Sequence, residues 1–159
     1  MRTRPSHLRT QDGFTIVYMA VTLTVLLLGT GIAVDSGRSY VVKAQLTKAV
    51  DGAALAAARA LNSGDPRGAA TRVFKANFPS AYFGTVAGDP TTAPGFFSSS
   101  VDATTGINTV TVTASAVLPT TFMQLGGIYD VTVTSSGEAT RRMVDLSLVI
   151  DVSSSIGVR

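Results

Sequence analysis

Cysteine and tryptophan are absent from this 159-residue chain, and histidine occurs only once, at His7. Without cysteine there is no disulfide bond, no thiol nucleophile and no cysteine-ligated zinc. A single histidine in the N-terminal tail leaves no material for a histidine-based catalytic triad or zinc site. Because these absences remove several hydrolytic and metal-dependent classes, we predict that the chain is not an enzyme.

Charged residues are also scarce, at 14% of the chain, where about a quarter is usual for a soluble domain. The formal net charge of +3 arises from 13 basic and 10 acidic residues, and Arg141-Arg142 is the one dense basic pair. Nucleic-acid binding normally needs a basic patch or stripe, so we expect no nucleic-acid partner. The length leaves room for a membrane anchor and about one small domain.

The most apolar run is Phe14 to Val34, FTIVYMAVTLTVLLLGTGIAV, which has no charge and no proline. As an α-helix it would span roughly the 30 Å hydrocarbon core of a bilayer. A buried core helix rarely stays uncharged over this length, and the apolar region of a signal peptide is shorter, about 7–15 residues. We therefore predict a transmembrane helix over residues 14–34. Residues 1–13, which carry three arginines, should form a basic cytoplasmic tail. Arg38, Lys43 and Lys48 nearly match this count on the far flank, so the short length of the tail and its α-amino charge decide the expected orientation.

Small residues recur at a spacing of four along this predicted helix, at Gly29, Ala33 and Gly37. Residues four apart lie on one face of a helix, and small side chains there let a second helix approach closely. The pattern predicts a helix-packing face.

The helix is expected to continue beyond the bilayer, because no proline interrupts residues 35–61 and alanine dominates the second half. Residues 35–64 should form its amphipathic extension, ended by the breaker sequence Asn62 to Pro66. Phe14 to Leu61 would then be one helix of about 70 Å. The predicted packing face of the extension comprises Val42, Leu46, Ala49, Val50, Ala53, Ala57 and Ala60.

Residues 65–141 should form a small α+β domain in which the helix packs on an antiparallel sheet. Apolar and polar residues alternate twice with a period of two, which is typical of half-buried strands. The exposed faces of these strands are rich in threonine and serine. The predicted elements are a helix at Pro66–Asn77, an edge strand near Phe96–Val101, strands at Asn108–Leu118 and Tyr129–Ala139, and a short helix at Phe122–Leu125.

The last segment, residues 142–159, begins with the nearly continuous apolar run Met143 to Ile150, which is typical of a strand buried on both faces. It leads into Asp151, Ser153 and Ser155, a D-x-S-x-S pattern of oxygen ligands suited to Mg²⁺. The pattern resembles the start of a von Willebrand factor A domain, where it opens a metal-ion-dependent adhesion site. That family also needs a threonine and a second aspartate from later loops. We therefore expect a truncated domain with a partial metal site, and no cofactor unless the domain is complete.

At the other end, Gly13-Phe14 follows a short basic tail and precedes the apolar helix. This junction resembles the processing site of type IV prepilins, so it is a candidate cleavage position. The prepilin pattern has glutamate at the fifth residue of the mature helix, and Tyr18 stands there in this chain.

The whole arrangement resembles the TadE/TadG-like proteins of the tight-adherence (Flp) pilus assembly system, in particular the TadG branch. The matching runs are Val34 to Tyr40 (VDSGRSY), Gln45 to Ala58 (QLTKAVDGAALAAA) and Ala116 to Met123 (AVLPTTFM). The resemblance implies a pilin-like α+β fold and a single-pass protein of the bacterial inner membrane. Its N-terminus would be cytoplasmic, its C-terminal part extracytoplasmic, and its partners other pilus-assembly subunits.

These residues bear on three possible functions. A structural assembly subunit that works by helix packing fits the small-residue faces best. The alternative is an adhesion or binding protein that uses the metal site begun at Asp151. A third possibility, an enzyme, lacks a nucleophile–base pair, and the carboxylates Asp130 and Glu138 near strand ends are expected to be solvated.

Overall fold

A computed structural model describes residues 12–86, 89–142 and 147–149. Its dominant element is helix α1, Asp12–Ala60, of 49 residues, which makes it about 70 Å long. The predicted single helix is confirmed; it begins two residues earlier and ends one residue earlier than expected. The helix can stay continuous because no proline lies between Pro5 and Pro66.

Helix α1 has two halves with different surroundings. The side chains of residues 14–30 are all exposed, although most of them are apolar. In the second half one face is buried beneath the rest of the domain, and most of this face was predicted from its alanine-rich pattern. The buried apolar side chains are Val42, Leu46, Ala49, Val50, Ala53, Ala54, Ala57 and Ala58, whereas Ala60 is half-buried.

Helix α2, Pro66–Asn77, follows α1 after a short turn and has the bounds expected from the sequence. Asp65 caps it by accepting a hydrogen bond of 2.8 Å from the backbone N–H of Gly68. Pro66 occupies the first turn, where its missing N–H costs nothing. Two short 3₁₀ turns, Tyr82–Gly84 and Pro90–Thr92, lead from α2 to the sheet.

The sheet has three antiparallel strands in the order β1-β2-β3: β1 is Phe97–Val101, β2 is Asn108–Pro119 and β3 is Asp130–Arg141. The central strand β2 alternates between buried and more exposed residues as predicted. A long loop, residues 120–129, joins β2 to β3 and contains the 3₁₀ turn Met123–Gly126. The predicted short helix is therefore a 3₁₀ turn that begins one residue later than expected.

The core lies between α1, α2 and one face of the sheet. From β2 it receives Val110, Val112, Ala114, Ala116 and Leu118, all buried. Aromatic rings close its α2 side, since Phe74 and Phe96 meet edge to face with their centroids 5.5 Å apart. The opposite face of the sheet is polar, and its hydroxyls pair across strands, as Thr113 does with Ser136 at 2.9 Å.

Strand β3 runs in the same direction as α1 and lies very close to it. Ser135 is hydrogen-bonded to Thr47 at 2.9 Å, and Arg141 donates to the carbonyl of Arg59 at 3.3 Å. Between these contacts Gly137 lies against the helix backbone, where a Cβ would sit 2.8 Å from the backbone nitrogen of Asp51. The start of β3 and the loop before it therefore lie toward the apolar half of α1.

Most of the predicted strand Met143–Ile150 lies outside the described residues. Of its described part, residues 147–149, none belongs to a strand, and Leu148 and Val149 are exposed. The predicted metal ligands Asp151, Ser153 and Ser155 also lie outside the described residues, so this strand and its site stay predictions.

Candidate functional site

A buried aspartate marks the point where the apolar stretch of α1 ends. Asp35 follows Val34 directly, and its side chain is only 2% exposed. The carboxylate accepts hydrogen bonds from the backbone N–H groups of Thr121 (3.1 Å), Phe122 (2.8 Å) and Met123 (2.8 Å). These N–H groups open the 3₁₀ turn Met123–Gly126 and have no partner within it, so the carboxylate supplies the acceptor that they need.

Arg38 lies one helical turn beyond Asp35 and reinforces this contact. Its guanidinium lies 3.7 Å from the Asp35 carboxylate and donates to the hydroxyl of Thr121 at 2.8 Å. It also donates to the carbonyl of Phe83 at 3.2 Å. Phe83 has a positive φ of 53°, which bulky residues rarely adopt. Arg38 therefore ties two separate loops to the same point of α1.

Two opposing effects act on the pKa of Asp35. Burial by itself raises the pKa, but the N–H groups of Met123, Phe122 and Thr121 and the charge of Arg38 outweigh it. The net pKa is lowered from the ordinary value of 3.8. Asp35 is therefore ionised at neutral pH, and a charge-assisted contact joins the loop after β2 to the helix.

A close contact between Gly31 and Phe122 lies one turn before Asp35. Gly31 is buried, and a Cβ built on it would overlap the Cβ and Cγ atoms of the Phe122 side chain. The absence of a side chain at position 31 therefore lets the Phe122 ring lie directly on the helix. Because Gly31 belongs to the apolar stretch, the domain reaches past Asp35 and onto its last turns.

The predicted helix-packing residues lie on the other side of α1. Gly29, Ala33 and Gly37 are exposed, and a Cβ added at Gly29 or Gly37 would meet nothing within 4 Å. Gly31 and Asp35 are two residues away from these positions, which at 100° per residue places them on nearly opposite faces. The described domain thus occupies one face of α1 and leaves the small-residue face uncovered.

The remaining predicted positions offer less chemistry. Gly13 lies within α1 and Phe14 is exposed, so the candidate cleavage junction is helical here. Within the described ranges there is no group of three or more His, Cys, Asp or Glu residues that could hold a metal ion. Asp130 and Glu138, the carboxylates near strand ends, are exposed.

One cavity of about 530 Å³ lies beside α2, lined by residues that include Phe74, Phe78, Pro79 and Ser115. At its edge Lys75 forms an ion pair with Asp89. The hydrogen bond from Lys75, followed by that from Thr91, lowers the pKa of Asp89 to about 2. The lysine and the aspartate thus neutralise each other, and this pair fixes the loop rather than supplying a free acid or base.

The length and the apolar composition of α1 are those of a helix that could cross a membrane. Residues 13–60 match the Tad family model, described as Flp pilus-assembly TadE/G-like. The match covers α1 almost from end to end, and it includes Asp35, Arg38 and the small-residue face. It does not extend to α2 or the sheet. No curated protein and no solved structure shows a significant match to the chain.

The description of the matched family model names Flp pilus assembly, and the match covers less than half of the chain. The TadG branch and the von Willebrand factor A resemblance receive no support from these comparisons.

Sequence reasoning missed the contact between α1 and the loop after β2. The run Val34 to Tyr40 indicated only a family resemblance, and the sequence predicted no partner for Asp35 or Arg38. A signal was present, because Asp35 is the one acidic residue between Asp12 and Asp51 in the sequence. An isolated acid at the end of an apolar helix needs a partner when it is buried. The sequence gives no indication that this partner is a backbone turn 86 residues away.

Proposed function

We propose that the chain is a membrane-anchored structural subunit of a tight-adherence (Flp) pilus assembly system. Residues 14–34 span the bacterial inner membrane, residues 1–13 are cytoplasmic, and the α+β domain is extracytoplasmic. The observation that carries the proposal is that the TadE/G-like match coincides with α1, whose apolar half is exposed throughout residues 14–30.

The apolar half of α1 is suited to lipid rather than to water. Its exposed side chains include Ile16, Val25 and Leu27, each more than half exposed. Burying each such side chain in an apolar medium stabilises it by about 1.5–3 kcal/mol. Three threonine hydroxyls in this half are also satisfied, because those of Thr22, Thr24 and Thr30 donate to carbonyls four residues earlier at 2.8–2.9 Å.

Anchoring and orientation are tested by labelling, which is simple because the chain has no cysteine. In spheroplasts, a membrane-impermeant maleimide should label Thr104→Cys in the β1–β2 turn. It should label Thr3→Cys only after lysis. Extraction with alkaline carbonate should leave both variants in the membrane pellet. Release into the supernatant would contradict anchoring, and labelling of Thr3→Cys before lysis would reverse the proposed orientation.

The proposed mode of action is helix packing through Gly29, Ala33 and Gly37. Without a hydrophobic driving force inside a membrane, helices associate through close packing at small residues. These residues are exposed and lie opposite the face that the domain covers, so a partner helix would meet no obstruction there from the described residues.

We test this face by replacing Gly29, Ala33 and Gly37 together with leucine. In a strain that lacks the gene for this chain, the variant should restore surface pili to well under half of the wild-type level. Cross-linked complexes between the variant and its partner subunits should decrease to a similar extent. Ala20→Leu is the matched control, because Ala20 is an exposed small residue on the opposite side of the same helix. The control should behave as wild type. Normal pili with the triple variant, at equal amounts in the membrane, would exclude this face.

A further inference from the structure

We propose that the loop between β2 and β3, residues 120–129, is a second membrane contact that rests in the interface of the bilayer beside α1. The partner is the lipid surface itself. This inference rests on the proposed function, because it needs residues 14–34 to span the membrane. It adds a part of the extracytoplasmic domain to the membrane-contacting surface.

The position of the loop is set by the packing of β3 on α1. Thr47 contacts Ser135 and Arg59 contacts Arg141, so β3 and α1 run in the same direction. The loop precedes β3 and therefore lies toward the N-terminal, apolar half of the helix. Asp35 then fixes the loop at the end of the apolar stretch through its bonds to residues 121–123.

At Phe122 the loop extends beyond Asp35 and contacts the apolar stretch itself. Its side chain lies on Gly31, which is three residues inside the predicted span. Three residues correspond to about 4.5 Å along a helix axis. A ring at that depth lies in the boundary between headgroups and acyl chains rather than in bulk water.

The composition of the loop suits this boundary. Residues 120–129 read TTFMQLGGIY and contain no charged side chain. Apolar side chains are nevertheless exposed there: Leu125 is 74% exposed and Tyr129 is 70% exposed, with Phe122 and Ile128 at 42% and 47%. Tyrosine is enriched at membrane interfaces because its ring is amphipathic. Such a patch is costly in water, and the adjacent apolar helix supplies the lipid that would cover it.

The opposite end of the sheet provides the internal contrast. The β1–β2 turn there contains Asp102, whose carboxylate accepts from the N–H groups of Thr104 and Thr105. Thr104 is exposed. The turn lies near the end of α1 that is farthest from the apolar stretch, because Asn108 pairs with Arg141 and Arg141 donates to Arg59. The end of the sheet near the apolar half of α1 therefore exposes apolar side chains, whereas the far end is polar. A membrane beside the first end would produce this difference.

The test uses the full chain in phosphatidylcholine–phosphatidylglycerol vesicles with one environment-sensitive fluorophore on a single cysteine. The three variants are Leu125→Cys in the loop, Val25→Cys in the apolar helix and Thr104→Cys in the far turn. Lipids carrying a nitroxide near the headgroup should quench the Leu125 probe several-fold more than the Thr104 probe. Lipids with a deep nitroxide should quench the Val25 probe. All three positions are exposed, so folding should be unaffected, and equal melting temperatures check this.

The outcomes separate this inference from the proposed function. A quenched Val25 probe with a Leu125 probe no more quenched than Thr104 overturns the loop contact and leaves the anchor intact. A Val25 probe that is not quenched removes the anchor and the loop contact together. A Leu125 probe with blue-shifted emission but no lipid quenching indicates that protein covers the loop, and this result also overturns the inference.

Discussion

At the scale of single residues, Asp35 joins helix α1 to the loop between β2 and β3. It stabilises three backbone N–H groups of a distant turn, and those groups keep it ionised despite its burial. Charged acceptors make hydrogen bonds that are roughly twice as strong as neutral ones. The attachment of the loop to α1 should therefore depend on this one carboxylate.

We predict that Asp35→Asn destabilises the extracytoplasmic domain. All three backbone N–H groups donate to Oδ2, which an amide oxygen could replace, but without the negative charge these bonds are weaker. The NH₂ group would then face the guanidinium of Arg38 and the N–H of Thr121, which are also donors. The melting temperature of the detergent-solubilised chain, followed by tyrosine fluorescence, should fall by roughly 10 °C. Asp130→Asn is the control, because Asp130 is exposed, and it should melt like wild type. Equal melting of the two variants would show that the carboxylate contributes little.

A second residue-scale feature is Gly31, which has a different role from the other glycines of the apolar stretch. Gly31→Leu should displace Phe122, because a side chain there would occupy the space of the ring. Gly29→Leu adds the same atoms two residues away, where nothing lies within 4 Å. We expect the first variant to lower the melting temperature by several degrees and the second to leave it unchanged. In limited proteolysis, the loop between β2 and β3 should be cleaved faster in Gly31→Leu than in Gly29→Leu.

At the scale of elements, the contact between α1 and β3 depends on small residues on both sides. The buried alanines of α1 form a flat surface, and Gly137 brings β3 within contact of the helix backbone. A sheet can approach a helix this closely only where neither element presents a bulky side chain at the point of contact.

We predict that Gly137→Ala is destabilising despite its small size. Its Cβ would lie 2.7 Å from Oδ1 of Asp51 and 2.8 Å from the backbone carbonyl carbon of Val50, so the strand must move away from the helix. The free energy of unfolding in urea should fall by about 1–3 kcal/mol. Gly95→Ala is the matched control, since its Cβ would meet nothing within 4 Å. An unchanged free energy of unfolding in Gly137→Ala would mean that α1 and β3 can move apart without loss of stability.

At the scale of the whole molecule, aspartates with lowered pKa values hold the loops of the domain. The pKa of Asp35 is lowered by the network described above, and that of Asp89 to about 2, chiefly by Lys75. The pKa of Asp102 is lowered chiefly by the backbone N–H of Thr104. Asp35 and Asp89 each connect a loop to a helix, whereas Asp102 stabilises the turn in which it lies.

These shifts fix the sign of the pH dependence. A carboxylate whose pKa is lower in the folded state binds fewer protons there, so stability rises with pH. The contribution is complete above the unfolded value of about 4 and is lost as the pH falls through the lowered values. We expect a constant melting temperature between about pH 5 and 7.5 and a steady decrease from about pH 4 to 2. Asp35→Asn should make this decrease shallower, and an identical decrease in that variant would contradict the role given to Asp35.

The sequence determined several parts of this protein because they depend on local patterns. The long helix follows from the absence of proline and the abundance of alanine, and β2 follows from its strict alternation. The buried face of α1 could be placed from Val42 to Ala57 because burial on a helix follows its period of 3.6 residues. The positions of Gly29, Ala33 and Gly37 on one face of α1 also follow from the sequence, since spacing alone defines a helix face. Helix packing at that face stays a prediction.

The contacts at the end of the apolar stretch could not be predicted, because they join distant parts of the chain. The partners of Asp35 are backbone N–H groups, which every residue except proline carries, so no residue type in the sequence identifies them. Residue type also fails to distinguish Gly31 from Gly29, because both are glycines and lie only two residues apart. One is covered by Phe122 and the other is open, because the position of the sheet along α1 selects a single face of the helix. That position is set by contacts between residues more than 80 apart in the chain, such as Thr47 with Ser135.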